Sequence, residues 1–136
     1  MKRIITFLLV ILLALSLAGC SRGNIRYLET TIGDSDVYTR EDIEKAIDVV
    51  SRFFQKEFEG CTLRTIEYNE PETIRRAREW AEQYDADEAI VLLSSFTVGI
   101  YGSDGSLNPG DTYTNWQWIL TRNSGEAWTL QTWGYG

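Results

Sequence analysis

Apolar and polar positions divide this chain into stretches of different period. Residues 4–17, IITFLLVILLALSL, are almost unbroken apolar sequence, with Lys2 and Arg3 before them and Ala18, Gly19 and Cys20 after. From Ile43 the apolar positions continue at Ala46, Ile47, Val50 and Phe54, and Phe53 and Phe58 widen the stripe. That spacing predicts an amphipathic helix whose stripe faces a core. Thr39, with Asp42 three residues on, supplies its N-terminal cap, and Gly60 its stop. Glu41–Lys45 and Asp48–Arg52 are favourable pairs on its polar face. Residues 61–68, CTLRTIEY, suit a strand, but the alternation breaks. Cys61 and Leu63 point one way, Ile66 and Tyr68 the other, so a bulge or a strand covered on both sides is expected.

Pro71 fits the first turn of a second helix. Its apolar face is expected at Ile74, Ala77, Ala81 and Tyr84, with Trp80 beside them. Residues 89–100 then read as a strand. Ile90, Leu92, Phe96, Val98 and Ile100 share one face, and Val91 and Leu93 lie on the other, so its first half should be covered on both sides. Residues 101–111, YGSDGSLNPGD, are a loop by composition. Two more strands are expected at 113–122 and 126–134. A three-residue turn, Asn123-Ser124-Gly125, puts Gly125 where a left-handed residue is needed. That register sets Arg122 opposite Glu126, Leu120 opposite Trp128 and Trp118 opposite Leu130. It sends Trp116, Trp118 and Trp128 to the inner face and leaves Trp133 outside with Tyr113 and Tyr135. Core packing explains most of that placement. The alternatives are a core that leaves a pocket partly lined by Trp116 and Trp118, or an exposed aromatic platform. Trp116, Trp118 and Trp128 are the candidate ligand-contacting residues. Tyr113, Trp133 and Tyr135 are the candidate homodimer surface.

The N-terminal pattern changes the picture of where the protein resides. A basic start, an apolar run and then small residues form a signal-peptide layout. The run is shorter than the ~20 residues a membrane-crossing helix needs. Leu17-Ala18-Gly19-Cys20 resembles the lipobox of bacterial lipoproteins, which implies diacylglyceryl transfer to the Cys20 sulfur and removal of residues 1–19. The expected organisation is a removed signal peptide (1–19), a lipidated tether (20–38) and one domain (39–136). Within the tether, Ile25, Tyr27 and Ile32 could dock on the domain or add a short strand. The lipid bilayer is the expected partner of Cys20, and two acyl chains hold a protein firmly where one is marginal. The protein would then face outside the cytoplasm.

The formal charge is −7, and loss of Lys2 and Arg3 takes it to −9. An acidic body without a basic patch argues against nucleic acid as a partner. It is also repelled by anionic lipid, so the acyl chains must do the anchoring. Cys61 reads as a small buried apolar residue. The chain has no histidine to serve as its base. Asp104, Ser106 and Asn108 alternate like early calcium ligands, but Pro109 stands where the EF-hand needs Gly and Asn115 where it needs Glu. Asp85, Asp87 and Glu88 read as solvated acids at a helix end. No catalytic residue, metal or cofactor is assigned.

The order helix, strand, helix, three strands resembles the α+β cone of the NTF2-like superfamily. That resemblance implies two helices packed on a curved antiparallel sheet of about four strands. YTREDIEKAIDVV, FEGCTL, DADEAIVLLSSF, GSLNP and TYTNWQWIL are similar to a family of bacterial lipoproteins of unassigned activity, mostly Gram-positive. The expected function is a non-enzymatic, membrane-anchored domain that binds a small ligand or an envelope protein. The alternatives are an enzyme using a pocket carboxylate or tyrosine, and a dimerising interaction module.

Overall fold

The computed structural model describes residues 22–103 and 105–135. The lipobox, Cys20 and the apolar run lie outside these residues, as does Asp104.

Thr39 caps the first helix, α1 (Arg40–Glu57). Its Oγ1 accepts from the Asp42 backbone N–H at 3.1 Å and donates to Asp42 Oδ2 at 2.9 Å. The stripe Ile43, Ala46, Ile47, Val50, Phe54 is buried, as its spacing predicts. Lys45 pairs with Glu41 and Arg52 with Asp48 on the solvent side. Gly60 follows at φ +75°, and the chain enters β2 (Cys61–Tyr68). There Leu63 pairs with Phe96 but Thr65 pairs with Ser95, so Arg64 is bulged out. The extra residue brings Cys61, Leu63, Ile66 and Tyr68 onto one face, and all four are buried in one core with α1.

A five-stranded mixed sheet forms in the order β1-β2-β3-β4-β5, with β1 at Glu29–Ile32, β3 at Glu88–Val98, β4 at Thr112–Arg122 and β5 at Thr129–Gly134. The expectation of about four antiparallel strands is corrected by β1, which lies parallel to β2 and pairs Glu29 with Thr65 through Ile32 with Tyr68. The other neighbours are antiparallel. Upstream of β1, Asn24 bridges to Thr62.

The second helix, α2 (Glu70–Gln83), lies on the face away from α1. Ala89, Val91, Ile119 and Thr121 alternate with the α1-facing residues Ile90, Leu92, Trp118 and Leu120, and both sets are buried. Thr73 of α2 explains the coverage. Its Oγ1 donates to Val91 O at 3.1 Å and accepts from Val91 N–H at 3.2 Å, standing in for a strand neighbour beyond the end of β2. This commitment of Thr73 rotates the helix, so Thr73 and Ala81 are buried while Ile74 is exposed. The two helices therefore sandwich the sheet and do not share its inner face. Val91 is covered as the pattern of β3 predicts. Ile100 was expected to extend the buried face, but β3 stops at Val98 and Ile100 is exposed.

Candidate functional site

The last two strands and the loop between them hold four of the five tryptophans, and two bulges decide where those on the strands point. Ser94 pairs with Trp116 but Phe96 pairs with Tyr113, an irregularity accommodated by Asn115 at φ +53°. The extra residue places Tyr113 and Trp116 on the same side, with Phe96 stacked on Tyr113 at 5.1 Å and edge-on to Trp116 at 5.2 Å. On β5, Leu120 pairs with Leu130 but Ile119 pairs with Thr132, so Gln131 is the inserted residue. Trp133 then sits opposite Trp118, and their rings stack at 6.2 Å.

The assignment of Tyr113, Trp133 and Tyr135 to the outer face is thereby corrected. Trp133 lies 4.5 Å from Phe53 of α1, and Tyr135 lies 5.3 Å from Trp116, centroid to centroid. All three aromatics stand on the α1 side, at its C-terminal end. The turn is also wider than expected. Thr121 pairs with Thr129, so residues 123–128 form the loop, with Glu126 N–H donating to Asn123 O inside it. The shift of two residues keeps Trp128 and Leu130 on the expected face.

Of the three tryptophans expected to meet a ligand, Trp116 lines an aromatic cleft, Trp128 borders a separate charged hollow, and Trp118 lines neither. Trp118 is fully buried, with Nε1 donating to Ser94 Oγ at 2.8 Å. Trp128 sits at the other end of α1, its Nε1 donating to Asp42 O at 3.0 Å. The cleft has a volume of about 410 Å³, within the size range of small-ligand sites. Phe53, Phe58, Trp116 and Trp133 form its aromatic walls, with Cys61 behind them. Phe58 meets Trp116 at an interplanar angle of 87°, so the walls enclose a corner. Glu57 and Glu59 supply carboxylates, and Ser103, Ser106 and Leu107 contribute from the β3–β4 loop. Among the described residues no Lys or Arg lines it. Trp116 Nε1 is shut off from solvent and meets no acceptor among the described residues. Sequence reasoning missed Phe53, Phe58 and Trp133 as cleft residues. Phe53 and Phe58 widen the apolar stripe beyond what a core face needs, and that excess was the available signal.

A larger hollow of about 550 Å³ lies at the N-terminal end of α1, between Asp42, Lys45, Asp48, Arg52, Arg122 and the β4–β5 loop. Its rim is charged and solvated, and Arg122 fills its base. Arg122 Nη1 donates to Asp42 Oδ1 at 2.9 Å and Nε to Glu88 Oε2 at 2.6 Å. The guanidinium carbon lies 4.2 Å from the Trp128 ring centroid. Beside it Tyr38 donates to Ala89 O at 2.8 Å, and burial, then the Glu88 carboxylate, push its phenol well above its usual range. These groups are already paired with one another, which marks a structural clasp.

Asp87 and Glu88, beyond the end of α2, are likewise committed. Asp87 Oδ2 accepts from Ser124 N–H at 2.9 Å, and Glu88 holds Arg122. Glu70 Oε1 accepts from Ser35 Oγ at 2.5 Å and from the Asp36 N–H at 2.9 Å. The Ser35 hydroxyl, helped by the Val37 and Asp36 amides, holds Glu70 below its usual range. Among the described residues no group of His, Cys, Asp and Glu is arranged to hold a metal ion, and no helix is long and apolar enough to cross a membrane. A scan against family models, a search of curated proteins and a search of solved structures return no match for this chain.

Proposed function

We propose that the protein is a lipid-anchored, non-enzymatic binding domain held outside the cytoplasmic membrane through Cys20, and that it takes a small amphipathic ligand in the aromatic cleft. The single observation that carries the binding role is the cleft itself. Among the described residues it combines four aromatic side chains, two carboxylates and no cation in one concavity. Aromatic walls favour flat or apolar ligand bodies, and the carboxylates disfavour an anionic head. The large upward shift at Tyr38 and the lowered Asp42 carboxyl both lie at the other end of α1, in the Arg122 clasp, which supports binding over catalysis at the cleft. The layout, with α1 against the sheet face carrying the core, supports kinship with the NTF2-like cone as an open, five-stranded variant. The lipoprotein-family resemblance belongs to the same reading.

Native mass spectrometry of residues 21–136 after exposure to an envelope extract should show one bound small molecule per chain. Trp133→Ala, at a half-exposed wall position, should reduce occupancy at least tenfold while costing only about 1 kcal/mol of stability. An unbound mass in every extract, or equal occupancy in the variant, would sink the assignment. Anchoring is tested separately. Cys20→Ser should move the protein from the membrane fraction to the soluble or uncleaved pool, and the native N-terminal peptide should carry two acyl chains on Cys20. An intact Met1 and an unmodified Cys20 thiol in the native protein would defeat it.

A further inference from the structure

The chain enters the described domain at one defined end. Gly23 N–H donates to Gln55 O at 2.9 Å, in the last turn of α1, and Asn24 N–H donates to Cys61 O at 2.9 Å. Gly23 lies so close to α1 that a Cβ there would be 2.2 Å from Phe54 O. The β3–β4 loop is pinned to the same end, with Gly99 N–H donating to Gly60 O at 2.8 Å. Gly60 and Gly102 approach so closely that a Cβ on Gly60 would lie 2.3 Å from Gly102 O. From this loop project the two most exposed large apolar side chains among the described residues, Ile100 at 78% and Tyr101 at 96%.

Beside that tip, Arg22, Arg52, Gln55 and Lys56 line a shallow hollow. Arg52 is paired with Asp48, and Lys56 lies 3.8 Å from Glu57. The patch is therefore close to neutral on a chain whose net charge is −7, so an anionic lipid surface repels it less than it repels the acidic body as a whole.

The chain preceding Arg22 carries the apolar run at 4–17 and Cys20. Two extended residues span at most about 7 Å. A Cys20 held in the bilayer therefore leaves Arg22 in or beside the headgroup layer. We infer that the domain rests on the bilayer by this end, with Ile100 and Tyr101 dipping into the interface and Arg22, Arg52 and Lys56 at the headgroups. The inference rests on the anchoring proposed above. Tyrosine suits the interface because its ring is apolar and its hydroxyl stays wet. Ser103, Ser106 and Leu107 of the same loop line the aromatic cleft, so the orientation opens that cleft beside the membrane.

The test uses the full chain, processed in a lipoprotein-making host and reconstituted in vesicles of phosphatidylethanolamine and phosphatidylglycerol. A photo-crosslinking benzoylphenylalanine replaces Tyr101 in one sample and Ser124, in the β4–β5 loop at the opposite end, in another. Lipid adducts at position 101 should exceed those at position 124 at least tenfold. The N-terminal peptide of each sample reports whether Cys20 is acylated. An acylated chain with equal adduct yields overturns this orientation and leaves the anchoring standing. A chain that is not acylated and does not bind the vesicles overturns both.

Discussion

Trp118→Ala is expected to lower the unfolding free energy by about 3–5 kcal/mol, the range for emptying a large aromatic site in a packed core. Trp118 has no exposed surface. Its ring meets Phe53 and Phe54 of α1 and Phe58 at the helix C-cap at 6.3, 6.4 and 5.4 Å and stacks on Trp133. Truncation opens a cavity between helix and sheet and also strips Ser94 of the indole donor it meets at 2.8 Å. Ser94 is itself buried, so that acceptor cannot recover the bond from bulk water. Urea unfolding of residues 21–136 should show the midpoint falling steeply with an unchanged slope, and Trp118→Phe should recover part of the loss by refilling the space. A loss below about 1 kcal/mol would mean that the inner face is not packed as described. Trp133→Ala, on the same cluster but 43% exposed, should cost far less. The two variants separate the core role of these rings from the cleft role.

The contrast between those two tryptophans also marks how far the sequence could be read. Helical period alone located α1 and its buried stripe, because Thr39, the i/i+4 charge pairs and Gly60 agree with it. The broken alternation of Cys61, Leu63, Ile66 and Tyr68 located β2 but left a bulge and a strand covered on both sides as alternatives, and the extra residue at Arg64 is what decides between them. The positions of Tyr113, Trp133 and Tyr135 were not legible. Each depends on one inserted residue, Asn115 or Gln131, and neither has a side chain that demands a bulge. A single insertion reverses every side chain beyond it, so an alternation read straight through gives the wrong face for the end of the strand. The placement of α2 failed for a different reason. Its apolar count favours Ile74, but the backbone groups of Val91 beyond the end of β2 need a partner, and Thr73 provides one. Hydrogen-bond completion outweighed one exposed isoleucine. The cleft follows from these same irregularities, because the bulges crowd Tyr113, Trp116, Trp133 and Tyr135 toward the last turn of α1.

Arg122→Ala is expected to cost about 2–4 kcal/mol at neutral pH, and the cost should shrink in acid. The Arg122 side chain is 14% exposed and joins three parts of the fold, α1 through Asp42, the start of β3 through Glu88 and the β4–β5 loop through the Trp128 ring. Removing one partner of a largely buried ionic cluster leaves the others uncompensated, which costs more than the intact pair contributes. Partial exposure of Asp42 and Glu88 holds the figure below the fully buried range. The Arg122 guanidinium, with the Thr39 hydroxyl, holds Asp42 below its usual range in the folded protein. A carboxyl depressed on folding contributes stability that is complete above its unfolded pKa of about 3.9 and is lost as the pH falls through the folded value. In the variant that contribution is largely absent at every pH. The difference between the two proteins, measured by urea unfolding at pH 7 and again near pH 3, should therefore narrow toward the acid end. An equal difference at both pH values would assign the loss to packing of the Arg122 stem against Trp128, and the ionic part of the clasp would have to be abandoned.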